Sequence, residues 1–156
     1  YTTGEFQNLT PEQRAAWIFS DAHAALQKGL NQGNYITLLL IGKSIGTLAI
    51  AGLLNIDTHN QVAAAWITPL LNQPFLVDAA LRFTGPSLYM VGTGDATFIP
   101  EKLSSIEHAA NCSVYRAPGA DHALEVPGDI NQSLIILGEV IRELEGFIKT
   151  ILNPRG

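Results

Sequence analysis

The sequence predicts an α/β fold in which a parallel sheet is flanked by helices on both faces. Apolar runs alternate with amphipathic stretches along the chain, which is the pattern of β-α-β units. Hydrophobic residues make up 47% of the chain and charged residues only 15%. This composition favours strands that are buried on both faces and excludes intrinsic disorder. The 156 residues correspond to a single domain, residues 1–156.

The first predicted helix and the first predicted strand have distinct local signals. Thr10 is a helix cap, Pro11 suits the first helical position, and Gln13 completes a capping box. Alanine-rich sequence extends this helix to about Lys28. The continuous apolar run YITLLLI then predicts a buried strand over Tyr35–Ile41.

The rest of the chain continues the same alternation. Strands are predicted at 62–67, 87–91 and 113–116, and helices at 45–54, 74–83, 100–110 and 130–151. The last helix, which Asp129 caps, has apolar residues at three- and four-residue steps along one face. Short connections and right-handed crossovers predict that the strands are parallel, so their C-terminal ends share one edge of the sheet.

A G-x-S-x-G motif, Gly42 to Gly46, lies between the first predicted strand and the next helix. This context is typical of a nucleophile elbow, in which Ser44 is held on a sharp and strained turn. Side chains two residues before and after the serine would collide across the turn, so we expect glycine at both positions. An ordinary strand–helix turn and a phosphate-binding turn are the alternative interpretations.

Two later loops carry partners for a serine nucleophile. Asp95 follows the third predicted strand, and His122 follows the fourth. Because parallel strands end at one edge, we expect Ser44, Asp95 and His122 to converge, in the chain order Ser, Asp, His. Asp121 is the weaker candidate for the acid, since adjacent side chains usually diverge.

Three segments of this chain resemble the α/β-hydrolase superfamily, and in particular small lidless hydrolases related to dienelactone hydrolase. GKSIGT is similar to the elbow, VGTGDATFIP to the acid loop and APGADHALEVPGD to the histidine loop. The resemblance covers about residues 35–151, the part of that fold from the nucleophile strand onward. It implies that Ser44 is the nucleophile, His122 the general base and acid, and Asp95 the orienting carboxylate. It also implies that the backbone N–H of Ile45 is one oxyanion donor.

The implied activity is hydrolysis of ester-like bonds in a small soluble acyl substrate through an acyl-enzyme. The connection at 68–86 leaves room for a short helix but no lid, which does not fit an interfacial lipase. No metal-ligand spacing occurs, so neither a metal nor a cofactor is expected.

Charge and composition also bear on partners and location. The net charge is −5 without a basic run, so nucleic acid is not an expected partner. No apolar stretch approaches the ~18 residues of a membrane span. The single cysteine, Cys112, fits a reducing compartment and predicts a cytoplasmic location.

The strands that precede the nucleophile strand in the resembling fold have no counterpart here. The strand at 35–41 is apolar on both faces and has no protective Lys or Pro, so as an open edge it would promote aggregation. We therefore expect a neighbour beside it. An N-terminal segment of a longer chain is favoured by the Tyr1 start, and a partner chain is the alternative.

The second oxyanion donor has no counterpart either. In the resembling family it often lies near a His-Gly pair, and this chain has no such pair. Its absence leaves open a second hypothesis, a non-catalytic binding or scaffold protein that keeps the hydrolase architecture. A nucleotide-binding α/β domain ranks last, because the run G-x-x-x-x-G-K-[ST] is missing.

Overall fold

The computed structural model describes residues 4–54 and 60–153, which form two compact units, one up to Tyr35 and one from Ile36 onward. The first unit contains helices α1 (Gly4–Gln7) and α2 (Pro11–Leu30). The capping box predicted for α2 is present, since Gln13 N donates to Thr10 Oγ1 and Thr10 N donates to Gln13 Oε1. The short helix α1 was not predicted.

The second unit contains the sheet and the helices that cover it. Its strands are β1 (Thr37–Lys43), β2 (Gln61–Ile67), β3 (Ser87–Gly92) and β4 (Cys112–Ala117), and its helices are α3 (Gly46–Leu53), α4 (Pro74–Arg82), α5 (Pro100–Ala109) and α6 (Ile130–Leu152). The strands pair in the order β1-β2-β3-β4, and every pair is parallel. The predicted parallel α/β architecture is confirmed.

Strand β1 lies two residues further along the chain than predicted. The ladder with β2 begins at the pair Thr37–Gln61 and continues to Lys43–Ile67. The prediction ended the strand at Ile41 because Gly42 and Lys43 interrupt the apolar run. Backbone hydrogen bonding to β2, which does not depend on side-chain polarity, carries the strand to the residue before Ser44.

Two apolar cores lie on opposite faces of the sheet. On one face Trp66 and Tyr89 stack with ring centroids 5.6 Å apart, under a layer formed by α3, α4 and α5. On the other face Leu88 and Met90 pack against Phe147 of α6. Successive residues of a strand point to opposite faces, so both faces of β2 and β3 are buried. The helices on both faces confirm the prediction.

Strand β1 is at the end of the sheet. Within ranges 4–54 and 60–153 its only ladder is with β2. The side chain of Ile41, the last residue of the apolar run, is 51% exposed. The neighbour expected beside this strand stays a prediction. None of the helices in the described ranges combines the length and the apolar character that a bilayer crossing requires.

Candidate active site

The turn that carries Ser44 is held by backbone hydrogen bonds to two elements. Ser44 N donates to Ile67 O at the end of β2, at 2.9 Å. Its carbonyl oxygen accepts from the amide and the hydroxyl of Thr47 in α3, at 2.9 and 2.6 Å. The φ angle of Ser44 is 53°, a left-handed conformation that few residues other than glycine adopt. The strained turn predicted from the motif is present, and it fixes the position of the serine side chain.

The two glycines of the motif are not equivalent. A Cβ at Gly42 would lie 2.5 Å from the carbonyl oxygen of Gly46, so no other residue fits there. A Cβ at Gly46 would meet nothing within 4 Å. The expectation that both positions need glycine is therefore wrong for Gly46. The difference arises because the carbonyl group of Gly46, and not its Cα hydrogens, faces Gly42. A side chain at Gly46 would therefore extend into open space.

The acid loop follows β3 and holds one buried carboxylate. The side chain of Asp95 is only 3% exposed. Its Oδ1 accepts from the amide nitrogen of Thr97 at 2.7 Å and from the Thr97 hydroxyl at 2.9 Å. Burial raises the pKa of the Asp95 carboxyl, but these hydrogen bonds and one with His122 outweigh burial and lower the pKa below its usual value. Asp95 is thus held as an anion.

The histidine loop is ordered by the neighbouring carboxylate. Asp121 Oδ1 accepts from the amide nitrogens of Ala123 and Glu125, at 2.8 and 3.2 Å. Asp121 N donates to the Glu125 carbonyl at 2.8 Å. The side chain of Asp121 therefore binds its own loop. Of these two carboxylates, Asp95 is therefore the one that contacts His122.

The structure brings the three predicted side chains together. His122 Nε2 lies 2.7 Å from Ser44 Oγ, and His122 Nδ1 lies 2.7 Å from Asp95 Oδ2. In the tautomer with a proton on Nδ1, the imidazole donates to Asp95 and accepts from the serine hydroxyl. This is the hydrogen-bonded order of nucleophile, base and orienting acid that acyl transfer uses.

The fourth predicted participant is the backbone N–H of Ile45, which directly follows the serine. Ile45 precedes the first residue of α3, and its N–H donates no backbone hydrogen bond within the described residues. A donor at this position is free to bind a developing oxyanion and benefits from the positive end of the helix dipole.

An apolar groove of about 490 Å³ lies next to the histidine loop, between the end of β1 and the first turns of α6. Its walls include Lys43, Ala123, Leu134 and Leu137. Lys43 and Ala123 are the chain neighbours of the serine and the histidine, but neither of those two side chains lines the groove. The groove therefore adjoins the triad without containing it.

Two threonines take part in the site although the sequence did not single them out. Thr97 binds the Asp95 carboxylate, as described above. Thr93 Oγ1 accepts from Gly119 N at 2.7 Å and so ties the acid loop to the histidine loop. The spacing Asp-x-Thr after a strand is a signal for an Asx-type turn and would have indicated Thr97. No comparable local signal exists for Thr93, since its partner lies in another loop.

The fold defines the chain as an α/β protein built on a parallel four-stranded sheet. No protein-family model matches the sequence, and a search of curated proteins finds no significant relative. Within ranges 4–54 and 60–153, no three His, Cys, Asp or Glu residues are grouped so that they could hold a metal ion. The function is therefore inferred from the geometry of this chain.

Proposed function

We propose that this protein is a serine hydrolase of the α/β-hydrolase type that cleaves ester-like bonds in small acyl substrates. The observation that carries the proposal is the line of two 2.7 Å hydrogen bonds through His122, from Ser44 Oγ to Asp95 Oδ2. These residues are far apart in the chain and meet only at the C-terminal edge of the sheet, where ligands bind in open α/β folds. A histidine turned away from either partner would have favoured the scaffold hypothesis.

Acylation would begin when Ser44 Oγ attacks the ester carbonyl carbon and its proton moves to His122 Nε2. Asp95 stabilises the imidazolium that forms and keeps the ring in its orientation. When the tetrahedral intermediate breaks down, the bond to the leaving oxygen breaks and Nε2 gives this oxygen the proton. The acyl group then remains on Ser44 as an ester.

Deacylation repeats the same proton transfers with water. His122 Nε2 takes a proton from a water molecule, the resulting oxygen nucleophile attacks the acyl carbon, and the proton returns to Ser44 Oγ as the acid leaves. In both half-reactions negative charge develops on the carbonyl oxygen, and the Ile45 N–H would bind it. The neighbour predicted beside β1 would supply the second donor, because Ser44 directly follows that strand.

The test is active-site labelling combined with ester hydrolysis. We expect a fluorophosphonate probe to label Ser44 in the intact protein, and the protein to hydrolyse p-nitrophenyl acetate. Ser44→Ala should lose the label and at least about 10⁴-fold in kcat, because the attacking atom is gone. Ser105→Ala is a matched control, since Ser105 Oγ donates to the Glu101 carbonyl on the surface of α5.

Two results would contradict the proposal. Full esterase activity in Ser44→Ala would assign the hydrolysis to another residue. A wild-type protein that neither reacts with the probe nor cleaves the ester would favour the non-catalytic binding or scaffold protein. A cytoplasmic location stays a prediction from the single cysteine.

A further inference from the structure

The two oxygens of the Asp95 carboxylate have different partners. Oδ2 faces the imidazole, with 2.7 Å to His122 Nδ1. Oδ1 accepts two hydrogen bonds, both from Thr97, one from the amide and one from the hydroxyl. A carboxylate beside a histidine can rotate or offer either oxygen unless other donors hold it. Thr97 is the residue that distinguishes the two oxygens here.

The Thr97 hydroxyl also lies close to the imidazole. Its Oγ1 is 3.4 Å from His122 Nδ1 and 2.9 Å from Asp95 Oδ1. The hydroxyl has one proton to donate, and Nδ1 already carries a proton in the tautomer that serves the serine. The Thr97 hydroxyl therefore donates its proton to Asp95 Oδ1. Its oxygen lies beside the hydrogen bond that joins His122 Nδ1 to Asp95 Oδ2.

We propose that Thr97 is a positioning residue, whose hydroxyl fixes the Asp95 carboxylate so that only Oδ2 faces His122. The inference rests on the proposed function, since positioning matters only if His122 transfers protons. The hydrogen bonds of Thr97 go to Asp95, so we expect it to act through that carboxylate. Loss of the hydroxyl would leave Oδ1 with the amide bond alone and allow the carboxylate to turn away from Nδ1.

The amide and hydroxyl contributions of Thr97 are separable by substitution. Thr97→Val keeps the amide donor and nearly the same shape but removes the hydroxyl. Thr97→Ser keeps the hydroxyl and removes only the methyl group. Thr97→Ala is a second hydroxyl-free variant for the case that valine disturbs the loop. Thr150→Val is the matched control, because the Thr150 hydroxyl donates to the Gly146 carbonyl within α6, away from the site.

The experiment measures kcat and KM with p-nitrophenyl acetate, together with the NMR signal of the proton between His122 Nδ1 and Asp95. We expect a roughly 10- to 100-fold loss of kcat in the valine and alanine variants, since a hydrogen bond to a charged group is removed. KM should change less than about twofold, and the proton signal should shift or broaden. Thr97→Ser and Thr150→Val should retain both the wild-type kcat and the NMR signal of this proton.

The proposal is overturned if the valine or alanine protein, folded by circular dichroism, keeps at least half of the wild-type kcat. It is also overturned if the serine variant is as impaired as valine, because the methyl group would then be the important part. Failure of the proposed function has a different signature: no ester is cleaved and Ser44 is not labelled. In that case the NMR signal still reports whether the hydroxyl orders the Asp95–His122 pair.

Discussion

Strands β1 and β3 have similar apolar sequences but very different surroundings. Every residue of β3 is buried, whereas β1 begins with three half-buried residues and then alternates between buried and exposed positions. On the exposed side Ile41 is 51% accessible, and in β3 Val91 is 2% accessible. Apolar composition indicates that a segment is a strand, but the number of neighbours in the sheet decides how much of it is buried.

The loops that follow these two strands also differ in how many neighbours they have. Besides the contact between Asp95 and His122, the acid loop after β3 is bonded to the histidine loop through Gly119 N to Thr93 Oγ1 and Gly94 N to Ala120 O. The turn after β1 is bonded to one neighbouring strand, through Ser44 N to Ile67 O. Asp95 and His122 are thus held by several hydrogen bonds, whereas Ser44 lies at the more exposed end of the sheet.

The largest expected effect is on kcat, from a substitution in the Asp95–His122 pair. Asp95→Asn should lower kcat by about 10⁴-fold in a protein that is still folded by circular dichroism. An amide in place of Oδ2 can donate to the imidazole, which favours the tautomer whose Nε2 no longer accepts the serine proton. The matched control is Asp78→Asn on the surface of α4, which should keep full activity. Retention of more than a tenth of the wild-type kcat by Asp95→Asn would contradict the role of this carboxylate.

A paired substitution tests the contrast in burial between the two strands. Leu88→Ala in β3 should cost about 2–5 kcal/mol of unfolding free energy, because it leaves a cavity beside Met90 and Phe147. Ile41→Ala in β1 should cost less than about 1 kcal/mol when no neighbour covers this strand, since about half of the side chain is then in contact with water. Urea unfolding measures both values.

The Ile41 result also tests the neighbour predicted beside β1. If Ile41→Ala costs as much as Leu88→Ala, the edge is covered in solution, and sedimentation analysis would show whether a second chain covers it. A small cost in a monomeric protein would mean that the edge is open.

The smallest expected effect is on the pH dependence of stability. The pKa of Asp95 in the folded protein lies below its ordinary value of 3.8, so the unfolded chain binds more protons near that pH. The stabilisation from this carboxylate is present above the ordinary value and is lost as the pH falls through the folded value. The unfolding free energy should therefore fall more steeply from about pH 5 to about pH 3 in wild type than in Asp95→Asn. Equal slopes would show that Asp95 is not stabilised as an anion.

The sequence by itself determined the order of the elements and the three residues of the candidate triad. Helix caps, apolar periodicity and the steric need for glycine at Gly42 depend on nearby residues, so local sequence is enough to predict them. The convergence of Ser44, Asp95 and His122 followed from a parallel topology, because parallel strands end at one edge.

Only the tertiary structure decided the roles that depend on side-chain direction and on neighbours distant in the chain. Pairing with β2 extended β1 to Lys43, and the direction of the Cβ position showed that Gly46 has room for a side chain. The hydroxyl of Thr93 gained its partner, Gly119 N, from another loop. Sequence patterns indicate periodicity and local steric limits. The direction in which a loop side chain points depends instead on the strands and loops that pack around it.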